Sequence, residues 1–462
     1  MADRVPTSRL ARSGKIGKFA ARQAVRNARL RFAKLANPKS ADDEAVAQSF
    51  IDAADELVDM LGGMKGAAMK VGQMLSILDV KMVPREHRAH FQRQLATLRD
   101  SAPTVSFDNM RKVLEDDLGR PIDEVFAEFD PEPIAAASIG QVYRARLHDG
   151  RPVAVKVQYA KIASAVRADL KNLALLLKFS KPILPTFDSR AFLDELRYHL
   201  EEELDYVHEA QTQHELAMFY AGHPNIFVPD TVLELCRRRV LVTEFVEGLR
   251  FDEIRELDAE TRNSVGEIVY RFYIGAIYLD NQFNGDPHPG NVLLANDGRV
   301  AFVDFGLFKR MEPAAVDFER AAVHAAMDGR ADDFRTLLSG SAVLRTESDI
   351  TADDLLAYAY DASPWTFDDD ELQITAELAG GALLLIADPR STDFERMHKE
   401  NLPAEHFFSR RADFYTFGVI GQLEATANWH RIAREWVCGE PPSTPAGIAD
   451  AQWRERKLRG LS

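Results

Sequence analysis

The 462-residue chain is poor in cysteine: only Cys236 and Cys438 occur, far apart and in unlike contexts. Neither a disulfide framework nor a cysteine zinc site can be built from such a pair, which fits a reducing cytoplasm. Long apolar runs are missing as well. The longest, Gly380 to Ala387, falls well short of the ~18 residues a membrane helix needs. The N-terminus has no uninterrupted hydrophobic segment, which argues against a secretory signal. Internal repeats and low-complexity tracts are absent, so a solenoid is excluded. Positive charge is scarce, with 57 Lys and Arg against 72 Asp and Glu. The shortage deepens beyond residue 40, because residues 1–40 hold eleven Lys or Arg and a single acid, Asp3. So acidic a body excludes nucleic acid as its main partner.

What is present is one dense stretch. In Asn284-Gly285-Asp286-Pro287-His288-Pro289-Gly290-Asn291 an acid and an amide stand five residues apart. Protein kinases place their catalytic acid and metal-binding amide at this offset, in the loop H-R-D-x-x-x-x-N. Val292-Leu293-Leu294 and Val300-Ala301-Phe302 flank the turn Asn296-Asp297-Gly298 and predict a β-hairpin. The hairpin leads into Asp304-Phe305-Gly306. Phosphoryl transfer needs an acid beside the incoming nucleophile and oxygen ligands that hold Mg²⁺ against nucleotide phosphates. Asp286 fits the first role; Asn291 and Asp304 fit the second. A lone Asp-Phe-Gly recurs by chance, but loop, hairpin and tripeptide here follow in the required order.

Four regions emerge along the chain: a basic arm over residues 1–40, a helical extension over 41–105, an N-terminal kinase-like lobe over 106–248 and a C-terminal lobe over 249–462. In the arm, Lys15, Lys18, Arg22, Arg26 and Arg29 share one face of a helix spanning residues 14–36. Two readings stand, a solvated arm and weak attraction to an anionic membrane surface at the inner face. A second helical pattern over residues 42–78 is interrupted by Gly62, Gly63, Gly66 and Gly72, which implies a closely packed neighbouring backbone. Within it lies Lys70-Val71-Gly72-Gln73, whose lysine, on composition alone, is a solvated one.

A helix over Phe107 to Leu118 precedes strand sequence. Ala135-Ala136-Ala137-Ser138-Ile139-Gly140-Gln141-Val142 aligns with the glycine-rich loop G-x-G-x-x-G-x-V, with Ala135 and Ala137 in place of two glycines. Their methyl groups hold the backbone away from phosphates that glycine would approach. Val153-Ala154-Val155-Lys156 then matches V-A-I-K, making Lys156 the nucleotide lysine. A helix near Ala163 to Phe179 follows, then another with Leu193, Leu196, Leu200, Leu204 and Val207 on its buried stripe. Glu201, Glu202, Glu203, Asp205 and Glu209 occupy its other faces, which reads either as a solvated acidic face or as a density suited to cations brought from elsewhere. Val240 to Gly248, including Glu244 and Val246, reads as a buried strand entering the hinge that would face adenine. A helix from about Asp258 to Asp280 leads to the catalytic loop. Neither Ala-Pro-Glu nor a long activation segment follows Gly306.

Taken together, these motifs resemble the UbiB/AarF (ADCK-type) family of atypical kinases from about Val5 to Trp429. The specific signs are Lys65 to Gln73, containing the K-x-G-Q motif, and the alanine loop 135–141. Glu203-Leu204-Asp205-Tyr206 with Glu209-Ala210 and Asp286 to Asn291 complete them. Asn284 departs from the pattern, since relatives often carry histidine there. The resemblance implies an α+β, two-lobed kinase-like fold with an added N-terminal helical layer. It also implies binding of ATP or ADP with Mg²⁺ and a tie to isoprenoid-quinone or lipid metabolism. A small or lipid-like acceptor and quinone-biosynthesis proteins would be its partners, and trans protein phosphorylation is not expected. On the same ground Lys156 would pair with Glu209, and Lys70 and Gln73 would meet Glu203 and Asp205. Two other readings are a phosphotransferase of the aminoglycoside or choline kinase type and a non-catalytic ATP-binding scaffold.

Overall fold

The computed structural model describes residues 105–137, 139–180, 197, 201, 204–340, 350–380 and 404–460. The expected basic arm, nearly all of the expected 41–105 extension, and Lys70, Gln73, Ser138 and Glu203 lie outside them. Helix α1 (Phe107–Leu118) buries Met110, Val113, Leu114 and Leu118, a stripe at helical spacing. It stops at Gly119, whose φ of +71° suits glycine and whose N–H donates to the Glu115 carbonyl. Strands β1 (Phe126–Ala136), β2 (Gly140–Leu147) and β3 (Pro152–Gln158) follow, then α2 (Ile162–Ser180) and α3 (Tyr206–Phe219). After β4 (Ile226–Phe227) comes β5 (Val240–Glu244), which closes the sheet β1-β2-β3-β5.

The described residues divide into two compact units. One takes those through Val207 together with Glu234–Val242; the other takes His208–Leu233 and those from Thr243 onward. In the first, β1, β2 and β3 are successive antiparallel neighbours, and Val153, Val155 and Val157 bury one face of β3. Asp117 on α1 accepts hydrogen bonds from the backbone N–H of Arg239 at 3.0 Å and from its Nε at 2.9 Å. This ion pair fixes α1 to the turn that enters β5.

In the second unit a four-stranded sheet has the order β4-β9-β8-β6, with β6 Gly248–Arg250, β8 Val292–Ala295 and β9 Val300–Phe302. Helix α4 (Ala259–Tyr270) starts at Asp258, whose carboxylate accepts from the Thr261 N–H at 2.8 Å. The expected helix to Asp280 is present but not uniform. A π-helical turn, Arg271–Gly275, separates α4 from α5 (Ala276–Asp280), and π-turns inside helices are frequent at functional sites. Arg271 within it is buried between Glu267 and Glu435 at 2.7 and 2.8 Å. Strand β7 (Gln282–Asn284) pairs with β10 (Phe308–Arg310), and α6 (Pro313–Met327), α7 (Ala331–Gly340) and α8 (Ala352–Ala362) follow. The last part comprises β11 (Leu372–Gln373), α9 (Ala404–Leu423), β12 (Thr426–Ala427), α10 (Trp429–Val437) and α11 (Pro445–Leu458). Val269, Phe272, Phe302, Phe305, Phe417 and Trp429 belong to one buried core, which also takes in Phe283 and Val292 on either side of the Asp286–Asn291 loop.

One expectation is corrected. The acidic helix was to run through Leu204 and Val207 on a buried stripe. Leu204 is buried, but the helix restarts at Tyr206 and Val207 is 40 % exposed. Asp205 therefore lies outside α3, not on a helical face with Glu209. Its carboxylate accepts from the Val207 N–H at 3.1 Å. An acid at a helix N-terminus is favoured by the helix dipole.

Candidate active site

The second unit assembles the acidic motif through its backbone. Asn284, at the end of β7 and nearly fully buried, donates from Nδ2 to the Asp304 carbonyl at 3.2 Å. Its Oδ1 accepts from the Asp286 N–H, also at 3.2 Å. One side chain thus joins the Asp286 and Asp304 segments. Asn291 donates from Nδ2 to the Asp286 carbonyl at 3.1 Å, and its own carbonyl accepts from the Val303 N–H at 3.0 Å. With its amide nitrogen committed to the loop, the side-chain Oδ1 of Asn291 is the end suited to a cation. The intervening turn is held by His288, whose Nδ1 accepts from the Gly290 N–H at 3.0 Å. On the other side, Gly285 donates to the Leu307 carbonyl at 2.8 Å.

Asp304 has a φ of +80°, the left-handed region that non-glycine residues seldom adopt. Such an outlier costs energy and persists where the surroundings dictate it, a frequent property of functional sites. Its Oδ1 accepts from the Gly306 N–H at 3.3 Å. A Cβ built on Gly306 would lie 3.6 Å from that same Oδ1 and 3.6 Å from Glu209 Oε2. Glu209, on α3 and only 2 % exposed, therefore faces the Asp304-Phe305-Gly306 turn. Phe305 is buried edge-on to Phe272, their centroids 6.4 Å apart.

An acid, an amide oxygen and a second carboxylate match the requirements of a Mg²⁺-nucleotide. Magnesium takes one or two protein oxygens and completes its octahedron with phosphates and water. Among the described residues no three His, Cys, Asp or Glu side chains form a cation-binding group.

In the first unit, the expected alanine loop is the tip of the β1–β2 hairpin. Ala135 pairs with Val142 and Ala136 with Gln141, and the Ala137 N–H donates to the Gly140 carbonyl at 2.9 Å. Gly140 has no room for a side chain, since its Cβ would fall 2.3 Å from the Val157 carbonyl oxygen. Lys156 pairs with Val142 across β2 and β3. Its ammonium lies 5.0 Å from the ring centroid of buried Tyr206, a cation–π contact that sequence reasoning missed.

The expected hinge residues fall at the end of β5. Glu244 is exposed; its N–H donates to the Asp230 carbonyl at 2.8 Å and its Oε2 accepts from the Asp230 N–H at 3.0 Å. Val246 lies just beyond it, half-buried. Asn284 stood out in the sequence only as a departure from a motif; its bridging bonds became visible once β7 was placed beside β10.

A family model described as ABC1 atypical kinase-like domain matches residues 97–335, more than half of the chain. The chain belongs to this family. Members similar to it include AarF domain-containing protein kinase 1 of Xenopus laevis, 32 % identical over 60 % of this chain and 54 % of that protein. The mitochondrial atypical kinase COQ8B of Rattus norvegicus is 34 % identical over 60 % of this chain and 52 % of its own length. The chain thus spans about half the length of these ABC1 relatives. A solved complex of Rv3197 with erythromycin from Mycobacterium tuberculosis aligns with a TM-score of 0.61 at 28 % identity, covering 88 % of this chain and all of that one. The fold is therefore α+β and kinase-like. Among the described residues no helix is long and apolar enough to cross a membrane.

Proposed function

We propose that this ABC1 family member binds ATP or ADP with Mg²⁺ and acts as an ATPase or a phosphotransferase on a small or lipid-like acceptor. The observation that carries this is the joining of Asp286 and Asp304 through Asn284, with Asn291 bonded to the Asp286 carbonyl. Asn291 and Asp304 hold the cation, which when bound neutralises charge developing on the transferred phosphoryl group. Asp286 orients the attacking hydroxyl or water and accepts its proton. Lys156 holds phosphates and Glu209 is its partner in the motif. By motif, Ala135, Ala136, Ala137, Ser138, Gly140 and Val142 are assigned to nucleotide binding, and Glu244 and Val246 to recognition of adenine. Lys70, Gln73, Glu203 and Asp205 belong to the same machinery by motif.

Service in isoprenoid-quinone or lipid metabolism, alongside quinone-biosynthesis proteins, is proposed on the family's ground. Contact with anionic membrane through residues 1–36, at the inner face, is proposed from the aligned cations of that arm. A second reading is a small-molecule phosphotransferase of the aminoglycoside or choline kinase type; the neighbour solved with erythromycin favours a small-molecule ligand.

Asp304→Asn is the direct test. Asparagine tolerates the left-handed backbone at this position, so the change removes charge without adding strain. Wild type should gain thermal stability from ATP only when Mg²⁺ is present, and the variant should lose that gain. An undiminished Mg²⁺-dependent shift in the variant rules out the metal assignment.

A further inference from the structure

Helix α3 brings Glu209 to the Asp304-Phe305-Gly306 turn, and the part of it that follows Glu209 is tied to one short segment, Pro229 to Thr231. The Thr231 hydroxyl donates to the carbonyl of Ala210, the residue after Glu209, at 3.2 Å. Gln213, only 2 % exposed, donates from Nε2 to the Pro229 carbonyl at 2.7 Å. His214 Nδ1 lies 2.7 Å from Asp230 Oδ1. A carboxylate only accepts, so Nδ1 carries the proton and donates it. Each of the three residues of the segment thus holds α3.

The same segment is fixed to the end of β5. The Asp230 carbonyl accepts from the Glu244 N–H at 2.8 Å, and the Asp230 N–H donates to Glu244 Oε2 at 3.0 Å. Thr231 forms an antiparallel bridge with Thr243. Asp230 stands where the two sets of bonds cross, because its Oδ1 also accepts from the Thr231 N–H at 2.6 Å. Its pair with His214 is half-exposed, and such pairs add little to overall stability. Their geometric effect is larger, since a helix held at three points can neither slide nor rotate. In protein kinases the placement of the helix that carries the glutamate decides activity. We infer that Asp230 is a positioning residue: through His214 it fixes α3, and Glu209 with it, relative to the end of β5. The inference rests on the nucleotide reading of the site and adds residues that no motif marks.

The test compares Asp230→Ala with Asp230→Asn in the full chain. The Oδ1 of asparagine can accept the same two bonds, and alanine can accept neither. With Mg²⁺-ATP, well below each melting temperature, Asp230→Ala should lower kcat about tenfold while KM for ATP stays within about twofold. Asp230→Asn should restore kcat to near the wild-type value. In a Glu209→Gln background the alanine change should lower kcat by no more than about twofold, because its route of action is already gone. Equal losses in both backgrounds would assign Asp230 a purely structural role and overturn the inference, as would an unchanged kcat in Asp230→Ala. Hydrogen exchange gives a readout independent of turnover. In the ligand-free protein, residues 206–214 should exchange faster in Asp230→Ala than in wild type or Asp230→Asn. Equal exchange in all three overturns the inference, and this arm decides where Glu209→Gln or wild type turns over too slowly to compare. Wild type with no Mg²⁺-dependent nucleotide response would instead defeat the nucleotide reading, and exchange would still decide whether Asp230 fixes α3.

Discussion

Single residues carry much of the architecture around the proposed site, and Gly140 is the clearest case. Its Cβ would meet backbone, the Val157 carbonyl, at a distance that side-chain rotation cannot relieve. Gly140→Ala should therefore destabilise the protein by about 1–3 kcal/mol, the usual result of overpacking a fixed backbone. The denaturant midpoint measures it; an unchanged midpoint would show that β2 and β3 can separate locally. The sequence did disclose that Gly140 alone survives from a glycine-rich motif. That its role is strand packing required the register of β2 against β3. Asn284 teaches the converse. As a departure from a pattern it looked like a loss, yet its amide supplies both a donor and an acceptor, which joins two backbone segments. Tyr206 was illegible because aromatic residues on apolar helix faces look alike until their partners are known.

At the level of elements, strongly periodic stretches were readable and short ones were not. Helix α1 has the predicted limits, and the hairpin of β8 and β9 forms around the predicted turn. The β7–β10 ribbon escaped notice because three-residue strands carry no alternation to detect. The π-turn escaped because its bonding pattern leaves no mark in hydrophobic spacing. One helix-to-helix tie has a measurable pH dependence. His223, just beyond α3, accepts at Nδ1 from the Asn225 and Ile226 N–H groups at 3.1 and 2.9 Å. Its Nε2 donates to Asp450 on α11 at 2.9 Å. Arg454 bonds Asp450 and grips Asp280 at the end of α5. Protonating His223 would break both Nδ1 bonds, and burial further lowers its proton affinity below the ordinary 6.5. The unfolded chain takes up that proton first, so stability should decline as pH drops below about 6.5. Asp450, although burial opposes its charge, is held low by His223 and Arg454, and its contribution fades only in stronger acid. His223→Gln keeps an acceptor and a donor but cannot titrate. Its melting temperature should vary less than that of wild type between about pH 5 and 6.5; parallel curves would remove His223 as the source.

For the whole molecule, the kinase-like fold was legible because its diagnostic residues are local runs whose order survives in the sequence. Membrane contact, in contrast, is proposed to run through the basic arm. At ~1 kcal/mol for each cation near an anionic surface, five aligned cations support reversible attachment that salt weakens. Sedimentation with anionic vesicles should be salt-sensitive for the full chain and lost when residues 1–36 are deleted. Retention by the shortened chain would assign the contact elsewhere. Regulation is constrained by the brevity of the path from Gly306 to α6. Half of Leu307 to Glu312 is taken up by β10, which is hydrogen-bonded to the strand that carries Asn284. Protein kinases commonly order this segment by phosphorylating it. Here it contains no serine, threonine or tyrosine. An upstream kinase finds no hydroxyl to modify between Gly306 and α6, so phosphorylation cannot act on this protein through the segment that it orders in protein kinases.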